Sequence, residues 1–107
     1  MKIRKENGTL FLIPETDLIA SRIEELRDYF AGQLKAHSDV FHVLLDVNGI
    51  EVVDSLGVNL IVGLYRQVTG ESKTIEIVGA GKNFMKVADF FRLTSLFPVK
   101  GEENYEL

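Results

Sequence analysis

The stretch "EVVDSLGVNL", residues 51–60, sets Asp54 and Ser55 side by side between an apolar run and a helix-like run, with Gly57 directly behind them. A carboxylate or hydroxyl at the first position of a helix accepts a hydrogen bond from an unpaired backbone N–H, worth about 1 kcal/mol. One of the two residues is enough for that. The second leaves an accessible hydroxyl, Ser55, on a turn where Gly57 allows close approach of backbone. Exposed amides and the positive end of the helix dipole make such a place hospitable to a phosphate. Two readings therefore stand side by side: a helix cap, or a cap that carries a regulatory phosphoacceptor.

Other residues suggest chemistry and complete none. "GAGKN", residues 79–83, lies between a strand-like and a helix-like run, as a phosphate loop would. That motif needs two glycines spaced for a longer loop, then Lys followed by Ser or Thr. Here Asn83 follows Lys82 and the loop is too short, so an ordinary strand-to-helix turn is the better reading. Asp46 and Asp54 fall near the presumed carboxyl ends of strands, where α/β proteins place their sites, and a carboxylate pair there could hold Mg²⁺. No placed Lys or Thr completes such a site; a strand-end carboxylate and a helix cap account for both. His42 alternates with core positions and reads as a satisfied, partly buried histidine. No metal-ligand spacing and no Ser-His-acid order is found, so the expectation is no cofactor, no metal and no catalytic residue.

The elements that must position Asp54 and Ser55 follow from periodicity. Residues 2–13 read as a hairpin turning at Asn7-Gly8, which tolerate the positive backbone dihedrals of a two-residue turn. Pro14 stops its second strand. A helix begins between Asp17 and Ser21, with Ser21 and Glu24 at capping-box spacing and Asp17 as the alternative cap. Ile19, Ile23, Leu26, Phe30 and Leu34 mark its core face. "VFHVLLDV", 40–47, is a nearly continuous apolar run that suits a strand buried on both faces. The second helix buries Val58, Ile61, Leu64, Tyr65 and Val68 and ends at Thr69-Gly70. "TIEIVG", 74–79, is a third strand of buried type. "NFMKVADFFRL", 83–93, is a third helix with Phe84, Val87, Ala88 and Phe91 on one side, and "FPV", 97–99, is a last short strand. Strands alternating with helices predict βαβ units on a largely parallel sheet, an α/β fold.

The totals bound the rest. With 107 residues, 46% of them hydrophobic, the chain is one domain able to bury a core. A net charge of −4 with no basic stripe argues against nucleic acid. The absence of cysteine excludes disulfides, thiolate zinc sites and thiol catalysis. Apolar runs are too short to span a bilayer, and "MKIRKENG" lacks the apolar segment of a secretion signal. No membrane association and a cytoplasmic location are expected.

"VVDSLGVNLIVGLYRQV", 52–68, resembles the signature of the STAS domain, and specifically of bacterial anti-sigma factor antagonists. These carry Asp-Ser-(Ser/Thr)-Gly-(Leu/Val) at the start of their second helix. The hairpin start, "LLDV" before the motif and "IVGAGKNFMKVADFFRLTSLF" after it extend the resemblance over nearly the whole chain. It implies a STAS fold: a single domain, 1–107, with a mixed, mostly parallel sheet of four or five strands and helices packed on it. It also implies a non-enzymatic switch. The unphosphorylated protein would bind an anti-sigma factor that is also a serine kinase and so release a sigma factor; a serine phosphatase would restore it.

By position, Ser55 is then the phosphoacceptor, Asp54 the acidic neighbour that shapes the site, and Gly57 the close-approach glycine. The partner surface comprises Asp54, Ser55, Leu56, Gly57 and Val58, with Thr16 and Asp17 nearby, on a monomer. Two departures stand out. Leu56 occupies the place of a second Ser or Thr, and "PETD", 14–17, replaces the family's Gly-Glu-(Leu/Ile)-Asp turn. The rival readings are a STAS scaffold or transport-accessory subunit that is never phosphorylated, and a nucleotide or small-ligand binder at 79–83.

Overall fold

A computed structural model describes residues 1–102. The chain runs β1 (Lys2–Glu6), β2 (Thr9–Ile13), α1 (Ile23–Ala36), β3 (His42–Asp46), α2 (Ser55–Gly70), β4 (Thr74–Ala80), α3 (Lys82–Phe90) and β5 (Val99–Gly101), and the strands lie in that same order in one sheet. β1 and β2 pair antiparallel; the pairs β2–β3, β3–β4 and β4–β5 are parallel. The hairpin turns where expected, with φ of 49° at Asn7 and 80° at Gly8. The crossovers run one strand at a time in a single direction across the sheet. Crossovers of one hand, the rule for parallel strands, would set the helices on one face, and the helices share one core with it. Leu10 and Leu12 of β2, Val43 and Leu45 of β3 and Ile75 and Ile77 of β4 are buried beneath them. They pack with Leu26, Phe30 and Leu34 of α1, Ile61 and Leu64 of α2 and Phe84 of α3. Each such side chain contributes about 1.5–3 kcal/mol when fully removed from water.

The one-sided cover corrects the expectation for β3. Its residues alternate between half-buried and buried, and Leu44 lies on the face the helices leave open. On that face Arg4 stacks over the Phe11 ring at 4.1 Å, which shields apolar surface without a second layer.

Three ends differ from the sequence reading. The approach to α1 is a 3₁₀ turn, Ala20–Arg22, and neither Ser21 nor Asp17 caps the helix. The third helix stops at Phe90 because Arg92 adopts a left-handed conformation, φ 58°. Phe91, the C-cap residue, is 43% exposed, while Leu93 and Phe97 beyond it are buried in the core. The last strand is Val99–Gly101 and starts two residues later than "FPV". The acidic tail beyond Gly101 lies, from residue 103 onward, outside the described residues.

Candidate functional site

The carboxyl ends of β2 and β3 lead into two loops, 14–22 and 47–54, that are laced to each other. Leu18 N–H donates to the Val52 carbonyl at 3.0 Å, Asp54 N–H donates to the Leu18 carbonyl at 3.1 Å, and Leu18 and Val53 form a parallel bridge. The side chains lace in both directions. Asp17 Oδ1 accepts from the Glu51 and Val52 amides, each at 3.1 Å. Asp54 Oδ2 accepts from the Ala20 amide at 2.9 Å, while its Oδ1 accepts from Gly57 N–H at 2.9 Å.

Asp54, and not Ser55, therefore caps α2, and it also ties down the 3₁₀ turn before α1. The Gly57 amide first, and the Ala20 amide second, hold its carboxyl below the usual carboxylate range. Bonds that favour the charged form do this.

Gly57 has a steric reason. A Cβ there would stand 2.1 Å from the Leu18 carbonyl oxygen, so the first turn of α2 is pressed against backbone that only a glycine admits. Val58, 4% exposed, follows it into the core. Of the expected partner surface, Gly57 and Val58 thus lie beneath and support. Ser55 is exposed as the first residue of α2, Leu56 is 47% exposed beside it, and Thr16, Asp17 and Asp54 are half-buried. With Asp54 as the cap, the Ser55 hydroxyl has no hydrogen bond to any of the described residues. It is a spare hydroxyl on the outer side of a helix start, above a loop pair that is fixed without it.

Asn83 belongs to this arrangement and was not foreseen. Its Nδ2 donates to the Glu51 carbonyl at 2.8 Å, so the start of α3 holds the same loop that Asp17 holds from the other side. Its partner is a backbone carbonyl 32 residues earlier, a pairing for which a single sequence carries no signal. Lys82, the residue that invited the phosphate-loop reading, is exposed and has no ion pair with the described residues.

The remaining candidates lie apart from Ser55 or serve the backbone. Asp46, 7% exposed at the end of β3, accepts from Asn48 N–H at 2.9 Å through Oδ1. That is a strand-end turn. His42 sits on the open sheet face, 2.6 Å from Thr74 Oγ1 through Nδ1 and 3.4 Å from Glu76 Oε1 through Nε2. Lys100 pairs with the other Glu76 oxygen at 3.0 Å. Burial alone would raise the Glu76 carboxyl; hydrogen bonds from Lys100 and His42 outweigh it and hold it low. Among the described residues no group of three His, Asp or Glu side chains is disposed to hold a metal ion.

Comparison with known proteins agrees with this fold. A family model described as "Mlab, STAS domain" matches residues 5–98. No curated protein matches the chain. Among solved structures, a Thermotoga maritima protein provisionally described as an anti-sigma factor antagonist superposes with a TM-score of 0.83 at 12% identity, over 99% of this chain and 94% of that one. The Bacillus cell fate determinant SpoIIAA in its phosphorylated form gives 0.69 at 17% identity, over 96% and 93%. The anti-sigma factor antagonist SpoIIAA in its unphosphorylated form gives 0.67 at 16% identity, over 92% and 84%. At these identities the likeness is one of fold.

Proposed function

The chain belongs to the STAS domain family, and we propose that within it this protein is an anti-sigma factor antagonist whose partner binding is controlled by phosphorylation of Ser55. The observation that carries the proposal is the division of labour at the start of α2. Asp54 supplies the cap, Gly57 the close approach, and Ser55 neither. A phosphate can therefore be added or removed at Ser55 while the fold stays as it is. The phosphate brings about −1.5 to −2 charge at neutral pH. At a helix N-terminus that charge is tolerated by the dipole. In an interface fitted to a hydroxyl it is not, because a hydrated dianion must shed water without a compensating partner.

The partner is an anti-sigma factor with serine kinase activity, docked on Ser55 and Leu56 with Thr16, Asp17 and Asp54 at the rim. A serine phosphatase reverses the modification. The protein is a monomeric, cytoplasmic switch and performs no catalysis itself. No described helix is long and apolar enough to cross a membrane. Leu56 and the "PETD" turn, both departures from the family's pattern, lie on this edge and set which partner fits.

Incubation with ATP and the kinase, followed by peptide mapping, tests the assignment. One phosphate on Ser55, and none on Ser55→Ala, is the expected result. A chain that takes no phosphate yet assembles with its partner is a STAS scaffold or accessory subunit, and the switch reading fails.

A further inference from the structure

A valley runs between α1 and α2 and opens beside Ser55. It encloses about 370 Å³, and Leu56, one residue after Ser55, lines its upper end with Ile23. Deeper in, Phe30, Leu60 and Leu64 give it an apolar floor. Ala31 on α1 and Gly63 on α2 leave it wide; a Cβ at Gly63 would meet nothing within 4 Å. The lining spans Ile23 to Ala31 on α1 and Leu56 to Gln67 on α2. At 1.5 Å per residue this is about 12 Å and about 16 Å, two to three helical turns. The rim is not neutral. Arg27 is the charged residue of the lining and has no carboxylate partner among the described residues.

We propose that this valley seats an amphipathic helix of the partner, with apolar anchors lying over Gly63 and Ala31 and a carboxylate meeting Arg27. The proposal rests on Ser55 and Leu56 belonging to the partner interface, with which the valley is continuous. Shape, length and charge select the occupant. Two parallel helices with small residues facing the gap accept a third helix by its i, i+3 or i+4, and i+7 side chains, the general mode of helix-in-groove recognition. Arg27, an exposed guanidinium on the lip of the apolar cleft, is placed to pair with a carboxylate of the occupant. Leu56, in place of a hydroxyl, extends the apolar contact up to the phosphorylation site. Phosphorylation then acts at the end of the seat and leaves its floor unchanged.

The test is calorimetric titration of the unphosphorylated chain with its anti-sigma serine kinase. The variants are Gly63→Leu, which fills the cleft, Arg27→Glu, which reverses the rim, and Lys86→Glu on α3 as a control. Both groove positions are exposed, and circular dichroism establishes that each variant folds. Weakening by about tenfold or more at Gly63→Leu and Arg27→Glu, with Lys86→Glu unchanged, is expected. Full binding by both groove variants overturns the proposal and leaves the Ser55 reading standing. Groove variants that weaken binding while phosphorylation does not would keep the groove and remove the switch. In sedimentation, self-association of the unsubstituted chain that Gly63→Leu abolishes would make the occupant a second copy and overturn the proposal.

Discussion

The Cα of Gly57 rests against the carbonyl of Leu18, so closely that a Cβ at position 57 would lie 2.1 Å from its oxygen. This contact fixes where α2 begins relative to the loop before α1, and hence where Ser55 points. Backbone atoms cannot yield as a flexible side chain does. Gly57→Ala should therefore cost about 1–3 kcal/mol, the range of overpacked sites. Gly63→Ala, in the same helix with open space around it, should stabilise by about 0.4–1 kcal/mol. Opposite signs in urea melts are the prediction; equal effects would mean the Leu18 contact is not tight.

The core face of α2 can be checked in the same way. Leu64 is 3% exposed and Asn59 is exposed on the other side. Leu64→Ala should cost about 2–5 kcal/mol, and Asn59→Ala no more than about 0.5 kcal/mol. Comparable losses at both positions would turn the helix.

Acid should loosen the loop pair through Asp54. The Gly57 and Ala20 amides hold its carboxyl below the usual carboxylate range in the folded chain. The unfolded chain then takes up the proton at a higher pH than the folded one. Its contribution is whole above about pH 4 and is lost as pH falls through the folded value. The gap in melting temperature between the unsubstituted protein and Asp54→Asn should be constant from neutral pH to about pH 5 and should narrow below pH 4. A gap that widens in acid would contradict the assignment.

The start of α3 separates two neighbouring residues. Asn83→Ala removes the bond to the Glu51 carbonyl and should cost about 0.5–1.5 kcal/mol, with faster amide exchange at Glu51 and Val52. Lys82→Ala should stay within about 0.5 kcal/mol, and ATP or GTP should not raise the melting temperature of the unsubstituted protein. A nucleotide-dependent stabilisation lost in Lys82→Ala would restore the ligand-binding reading of 79–83.

What was legible in the sequence was local. Asn7-Gly8 announced its turn, and the Asp54-Ser55 pair announced a cap without saying which of the two supplies it, because the groups involved lie within three residues of each other. The helix faces followed from spacing, and the motif around Asp54 and Ser55 pointed to the family. What escaped was non-local. Asp54 also holds Ala20 and Asp17 holds Val52, across 34 and 35 residues, and their acceptor–donor pairs involve backbone that carries no residue code. Asp17 could be placed near a helix start but not assigned to the opposite loop. The apolar run of β3 did not reveal that helices would cover one face only, since Leu44 is as apolar on the open side as Leu45 is in the core. Arg92 ends the third helix in a left-handed conformation that its residue type does not advertise, and Leu93 and Phe97 beyond it enter the core while Phe91 stays exposed.

The central claim is that Ser55 switches binding without altering the fold, and the most direct measurement compares two samples of the same chain. One is unmodified and the other is stoichiometrically phosphorylated on Ser55; each is titrated with the anti-sigma serine kinase and melted alone. An uncompensated charge in an interface costs about 3–5 kcal/mol, and about 1.4 kcal/mol is tenfold in affinity. The phosphorylated chain should bind at least about a hundredfold more weakly, with a melting temperature close to that of the unmodified chain. Equal affinity in the two samples would make Ser55 a surface residue beside a cap and nothing more.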